Sequence, residues 1–254
     1  MIPLGDDNSM RRTTPLVVYG LIGANALMWY LQLTNGEPFT YGWSAVPYEI
    51  THGVDLKEAA MVVMGGQAHP VPQYAGPSPI QVTLLSSMFM HGSWMHILGN
   101  MLYLWIFGDQ IEDILGHFKF LAFYLVCGVI AAFAQIYTNP DSVIPTLGAS
   151  GAIAGVLGAY LVKYPRNMVR VLVLRMITHM PAFIVLGLWF VLQVLSHAGT
   201  PKGSGGGVAY MAHIGGFVGG VVLIMALARG KAPGRGEATI GWGGRGARRR
   251  GFLG

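Results

Sequence analysis

At 254 residues the chain is 53% hydrophobic and only 11% charged, far from the roughly 45–50% apolar and about 25% charged usage of soluble domains. This composition, with a mean hydropathy of +0.50, excludes an ordinary water-soluble enzyme and indicates one polytopic membrane bundle with short tails. The net charge of +5 does not indicate a nucleic-acid partner, because its excess sits in the tails: Arg11 and Arg12 at the front, Lys231, Arg235, Arg245, Arg248, Arg249 and Arg250 at the back. Basic residues beside membrane spans set orientation and meet anionic lipid headgroups. The lone Cys127 excludes an intramolecular disulfide and a cysteine-based metal site.

A helix needs ~20 mostly apolar residues to cross the bilayer core. Six stretches serve, some only with tilt or at the short end: about 15–33, 94–108, 117–137, 148–163, 169–195 and 208–228. Arg11-Arg12 precedes the first, but no A-x-A cleavage site follows it, so it reads as an uncleaved first helix. With both termini on the cytoplasmic side, only Lys57 and Lys202 fall outside, and the other fourteen of the sixteen basic residues lie inside or in the tails. The expected organisation is an N-terminal tail over 1–14, an all-α six-helix membrane domain over 15–228, and a basic, disordered cytoplasmic tail over 229–254.

The 34–93 connection becomes a long outer loop. It is too polar to span, yet Phe39, Tyr41, Trp43, Tyr48 and Tyr74 suit a segment resting at the membrane interface. Its end, 80–90, is apolar enough for a short interfacial helix. The inner loop carrying Asp109, Glu112 and Asp113 is expected to cap helix ends or pair with arginines. The 199–207 connection holds Gly-Ser-Gly-Gly-Gly and reads as a linker or a mobile flap.

Spans two, four and six all enter from the outer face. Ser150 on span four, His213 on span six, and His96 and Asn100 on span two therefore lie roughly 3–10 Å below the outer helix ends, at 1.5 Å per residue. Any one of them alone is equally well a packing or interfacial residue. Four at one depth on three helices mark a site, since buried polar groups in a membrane are costly.

A serine hydroxyl becomes nucleophilic when a base takes its proton, and an imidazole suits that task near neutral pH. Acyl transfer also needs donors for the developing oxyanion. The Ser150 N–H at a helix N-terminus, His96 and the Asn100 amide answer that need. No acid in the outer half of these spans can orient His213, which leaves a Ser–His dyad. Gly148, Gly151, Gly155 and Gly158 on span four, and the small-xxx-small rows Gly215/Gly219 and Gly216/Gly220 on span six, permit close helix approach. A zinc site on His91, His96 and His213 is disfavoured: no H-E-x-x-H occurs, positions 91 and 96 do not share a face, and no carboxylate is near.

In order, His91-Gly-Ser-Trp-Met-His96-Ile-Leu-Gly-Asn100, Gly108 with Glu112 and Gly116, Gly148-Ala-Ser150-Gly151, and Ala212-His213 with Gly216 and Gly220 resemble the rhomboid family of intramembrane serine proteases across residues 15–228. The resemblance implies a six-helix bundle with a partly membrane-embedded first outer loop, cleaving transmembrane protein substrates within or near the bilayer without a cofactor or metal. It makes Ser150 the nucleophile, His213 its base, and His96, Asn100 and the Ser150 N–H the oxyanion donors. It makes His91 structural, and span five, with Trp189, Phe190 or Gln193 and the 199–207 loop, the substrate gate. A bacterial inner or plasma membrane with the active site open to the outer face completes the expectation. Two departures stand out. The Trp-Arg pair of some members is Val82-Thr83-Leu84 here, and the aromatic residue that stacks on the catalytic imidazole in many members is Ala154. How His213 is held is therefore open. The rival is a catalytically silent rhomboid-like protein that escorts membrane clients, which the intact Ser150 and His213 argue against.

Overall fold

The apolar runs fold as helices, and glycines decide how closely those helices pack. The computed structural model describes residues 1–9, 11–64, 66–199 and 208–228. The long helices are α1 (Leu16–Gly42), α4 (Trp94–Leu115), α5 (His117–Thr138), α6 (Ser150–Lys163), α7 (Ala182–Gly199) and α8 (Tyr210–Leu227). Shorter α2 (Pro47–His52) and α3 (Thr83–Ser86) lie in the outer loop. Among the described residues, α1, α5, α7 and α8 are long and apolar enough to cross a membrane. In this integral membrane protein α6 is apolar but has only 14 residues, and α4 carries three acids toward its inner end.

Helix α8 is seated between α5 and α6 by its two glycine rows. A side chain at Gly216 would run into the Gly151 carbonyl, and one at Gly220 into the Gly155 carbonyl, both on α6. The other row meets α5, where Gly215 faces Ala134 and Gly219 faces Ile130. Lipid tails are as apolar as leucine, so helices associate in a membrane chiefly by such close packing. The core around this seam contains Tyr124, Cys127, Leu157, Tyr160, Phe217 and Ile224.

The acids expected in an inner loop instead lie on α4 itself, which runs unbroken to Leu115, and from there they meet the residues that lead into α1. Both carboxylate oxygens of Glu112 accept from the first turn of α1, at 2.9 Å from the Val17 N–H and 2.8 Å from the Val18 N–H. Pro15 at the start of α1 offers no side-chain cap, so α4 supplies one from across the bundle, where an anion also suits the helix dipole. Asp113 accepts from the Thr13 N–H at 2.8 Å, and Asp109 pairs with Arg11 at 3.0 Å.

Three expectations need correction. Helix α1 runs past residue 33 to Gly42, with a break at Gly36, whose φ of 71° suits glycine. The fifth helix does not begin at 169: residues 168–181 form a hairpin of β4 (Met168–Val173) and β5 (Met176–Pro181), and α7 starts at Ala182. Alternation explains this, since Val169 and Val171 are buried while Met168 and Arg170 are exposed, the period of two that marks a strand. Nor is the front of the chain a plain tail, because β1 (Ile2–Asp6) pairs antiparallel with β4 and completes a three-stranded sheet in the order β1-β4-β5. In the outer loop, β2 (Ala60–Met64) and β3 (Gln67–Val71) form a second hairpin, and short helical turns occupy 80–89 as expected. The flap at 200–207 and the basic tail at 229–254 lie outside the described residues.

The sheet is fastened to the bundle through Asp6. Its carboxylate accepts from Gln110 at 2.7 Å and from the Tyr160 hydroxyl of α6. Burial is the main cause that raises the Asp6 pKa from about 3.8 to about 7; the Tyr160 bond opposes the rise and the nearby Asp109 charge adds to it. The folded state therefore holds the proton more tightly than the unfolded one. The Asp6 contribution is fully present below pH ~4 and is lost as pH rises through about 7.

Two outcomes follow from this packing. Gly216→Val should lower the thermal unfolding midpoint in detergent, by a destabilisation of at least about 1–3 kcal/mol typical of overpacking. Gly23→Ala, whose added methyl meets nothing within 4 Å, should not; equal midpoints for both variants would contradict the seam. Amide exchange over residues 2–6, corrected for intrinsic rates, should be better protected at pH 5.5 than at pH 8, and Asp6→Asn should flatten that difference. A variant that keeps the full pH dependence would remove Asp6 from the role.

Candidate active site

Helix α6 is about 21 Å long at 1.5 Å per residue, against a hydrocarbon core of ~30 Å. Its inner end is held where the Lys163 ammonium donates to the Ala228 carbonyl at 2.7 Å. Ser150 is the first residue at the opposite end of this short helix. The segment leading into it is tied from above: Thr146 bridges to Ala45, and the Gly148 N–H donates to the Ser87 carbonyl at 2.8 Å. Gly148 has a φ of 131°, in the region where glycine is favoured, so the chain turns into the helix there.

The first intrahelical bond of α6 is Ile153 N–H to the Ala149 carbonyl. The N–H groups of Ser150, Gly151 and Ala152 are thus left at the positive end of the helix. His213 stands in the first turn of α8, whose Ala212 N–H is capped by the Gln135 side chain of α5 at 3.3 Å. Its Nε2 lies 2.8 Å from Ser150 Oγ. Its Nδ1 lies 2.8 Å from Oε1 of Gln193 on α7, and the Trp189 ring lies 5.8 Å from the imidazole, centroid to centroid.

Helix α4 brings the other two polar residues. Ser93 caps it, accepting from the His96 N–H at 3.2 Å, which sets His96 in the first turn. His96 Nδ1 accepts from the Gly92 N–H at 3.4 Å, so the neutral ring carries its proton on Nε2. That nitrogen faces Gly148, where an added Cβ would lie 2.8 Å from it and 3.6 Å from Ser150 Oγ. Asn100 is buried and directs Nδ2 to His91 Nε2 at 2.9 Å. One Asn100 N–H is thereby committed to His91, and the second is available for another acceptor.

His91 is held by Gln32 of α1, a residue sequence reasoning missed. The Gln32 amide donates to the His91 carbonyl at 2.9 Å and accepts from the His91 N–H at 2.9 Å. The available signal was a carboxamide in an apolar run, itself a marker in a membrane helix, although Asn25 in the same run gives the same signal and only bonds back to the Leu21 carbonyl. Trp189, Phe190 and Gln193 all lie along the α7–α8 seam, where Phe190 stacks on Phe217 at 4.5 Å. Gly151, Gly216 and Gly220 act in the α6–α8 contact, and Glu112 caps α1 far from Ser150. Among the described residues no group of three or more potential ligands could hold a metal ion.

The family model described as the Rhomboid domain matches residues 80–230, more than half of the chain. The chain belongs to the rhomboid family. The mitochondrial presenilin-associated rhomboid-like protein of Bos taurus is 40% identical over 97 residues, covering 37% of this chain and 26% of that protein. The rhomboid protease GluP of Bacillus subtilis is 33% identical over 160 residues, 62% of this chain and 28% of that protein. The mitochondrial rhomboid protein 1 of Saccharomyces cerevisiae is 29% identical over 148 residues, 56% of this chain and 40% of that protein. The matches thus span about a quarter to two fifths of these relatives' own lengths. The mitochondrial names run against a bacterial membrane as the expected location, while integral membrane placement stands.

Gln32→Leu leaves the His91 N–H and carbonyl without partners, at a cost of about 1–3 kcal/mol for each buried group. The variant should unfold at a lower temperature in detergent than wild type, by more than Gln73→Leu, which loses one bond to the Val143 carbonyl in the outer loop. A smaller shift for Gln32→Leu would show that the clamp carries little.

Proposed function

We propose that this rhomboid is an intramembrane serine endopeptidase that hydrolyses transmembrane protein substrates with a Ser150–His213 dyad and no cofactor. The observation that carries the reading is the 2.8 Å contact between His213 Nε2 and Ser150 Oγ at the start of α6. Ser150 Oγ forms a bond to the scissile carbonyl carbon as its proton passes to Nε2. The carbonyl oxygen takes the negative charge beside the Ser150 N–H, His96 Nε2 and the second Asn100 N–H. The imidazolium then gives its proton to the leaving amine nitrogen, the C–N bond breaks, and an acyl-enzyme remains. Water repeats the sequence on the ester, losing its proton to His213 and returning the hydroxyl to Ser150.

The surroundings support peptide hydrolysis in a lipid setting. The site lies below the outer end of the bundle, and α7 beside it exposes Leu188, Val191, Leu192 and Leu195, an apolar flank that suits a transmembrane helix approaching from the bilayer. Both termini on the inner side, a membrane domain over 15–228, and Trp189 and Phe190 as the gate complete the proposal. The relative printed as a rhomboid protease is consistent with it. A client-binding role without catalysis has no use for a serine hydroxyl bonded to an imidazole. Ser150→Ala and His213→Ala should each abolish cleavage of a transmembrane reporter in proteoliposomes while the protein still inserts; wild-type rates from either would refute the assignment.

A further inference from the structure

Imidazole has two nitrogens, and a serine's base needs the one facing the hydroxyl to be without a proton. What fixes that choice is the group bonded to the other nitrogen. Here that group is the carboxamide oxygen of Gln193, 2.8 Å from His213 Nδ1. An amide oxygen only accepts, so His213 must donate from Nδ1, and Nε2 is left as the acceptor 2.8 Å from the Ser150 hydroxyl. The amide is itself oriented, because its Nε2 donates to the Trp189 carbonyl one turn earlier at 3.4 Å. Trp189 lies on the same face of α7 and sets its ring against the imidazole. Helix α6 offers only the methyl of Ala154 at the position where many members of the family carry an aromatic residue.

We propose that Gln193 is the positioning residue of the dyad, accepting the His213 Nδ1–H from α7, so that Ser150 is activated only while α7 is seated against α8. This rests on the protease reading above.

The packing of α7 makes the coupling physical. Its buried residues, Ala182, Val185 and Leu186, all lie at the inner end. There the backbone is also tied down, by Ala182 N–H to the Asn167 carbonyl and Phe183 N–H to the Pro165 carbonyl. The outer half, which carries Gln193, has no buried residue and leans on α8 through Trp189, Phe190 and Phe217. A tilt of α7 about its inner end would open the lateral face of the site and carry Gln193 away from His213. The base is then aligned again when α7 closes on a bound substrate. Movement that admits the substrate and alignment of the base are linked by one side chain.

The test uses the full chain in detergent micelles. Second-order rates of Ser150 labelling by a fluorophosphonate are measured beside kcat and KM on a transmembrane reporter, for wild type, Q193M and Q193E. Methionine keeps the length and removes the acceptor; glutamate keeps an acceptor. Q193M should slow both labelling and kcat by roughly 10–100-fold, the scale seen when a metal-bound histidine loses the partner of its other ring nitrogen, with KM little changed, and Q193E should recover most of the loss. Wild-type labelling by Q193M, or a change confined to KM, would overturn the proposal and leave Gln193 as gate lining. Should both variants fail to insert, nitrogen NMR of wild-type His213 still decides it: the proton belongs on Nδ1, and a proton on Nε2 would overturn the inference. Wild-type protein that neither labels nor cleaves would instead refute the protease reading, and the tautomer measurement would remain valid.

Discussion

The contact on which the rest of this structure depends is backbone against backbone, α6 on α8. Hydrophobic burial cannot drive it, since lipid competes equally well for apolar side chains. It forms because Gly216 and Gly220 let the carbonyls of Gly151 and Gly155 come where a methyl would otherwise sit. Helices drawn together this closely bring first-turn side chains within a hydrogen bond of each other. Ser150 and His213 are both first-turn residues, and their 2.8 Å contact is the local product of a packing constraint that runs down the whole seam.

The loop leading into α6 is the second constraint. Helix α6 has only 14 residues, fastened at Lys163 to the Ala228 carbonyl and beginning at Ser150. Polar backbone entering a packed bundle is tolerable only where each group finds a partner. Ser87, Ala45 and Gln32 provide those partners, for Gly148, Thr146 and His91 respectively. The long outer loop is thus the support of the site. The small sheet fixes the start of α7, and the half that carries Gln193 meets α8 through Trp189, Phe190 and Gln193 itself.

The meeting of Ser150 and His213 was legible in the sequence because its signals are local. A serine among glycines, a histidine before a glycine row, and the charge asymmetry of the loops together point to one hydroxyl–imidazole pair. Glu112 was legible for a similar reason, as an acid at a helix end. The partners of His91 and His213 were not. Gln32, Asn25 and Gln193 look alike as carboxamides in apolar runs, and only tertiary geometry separates a backbone clamp, a bond within the helix and an imidazole partner. The hairpin at 168–181 was hidden by averaging, because valine, leucine and methionine raise hydropathy over a window whatever their period, and the alternating burial shows only in the fold. Strand β1 needed a partner far along the chain, in β4, which no local pattern announces.

The central claim is that the α6–α8 contact creates an activated serine in the membrane. The most direct measurement is peptide mapping by mass spectrometry after wild-type protein in micelles has reacted with a fluorophosphonate. Attack by Ser150 Oγ on phosphorus expels fluoride and leaves a covalent phosphonate ester. The account predicts that adduct on the peptide containing Ser150 and on no other serine. An unmodified Ser150, or labelling spread over the exposed serines, would contradict it.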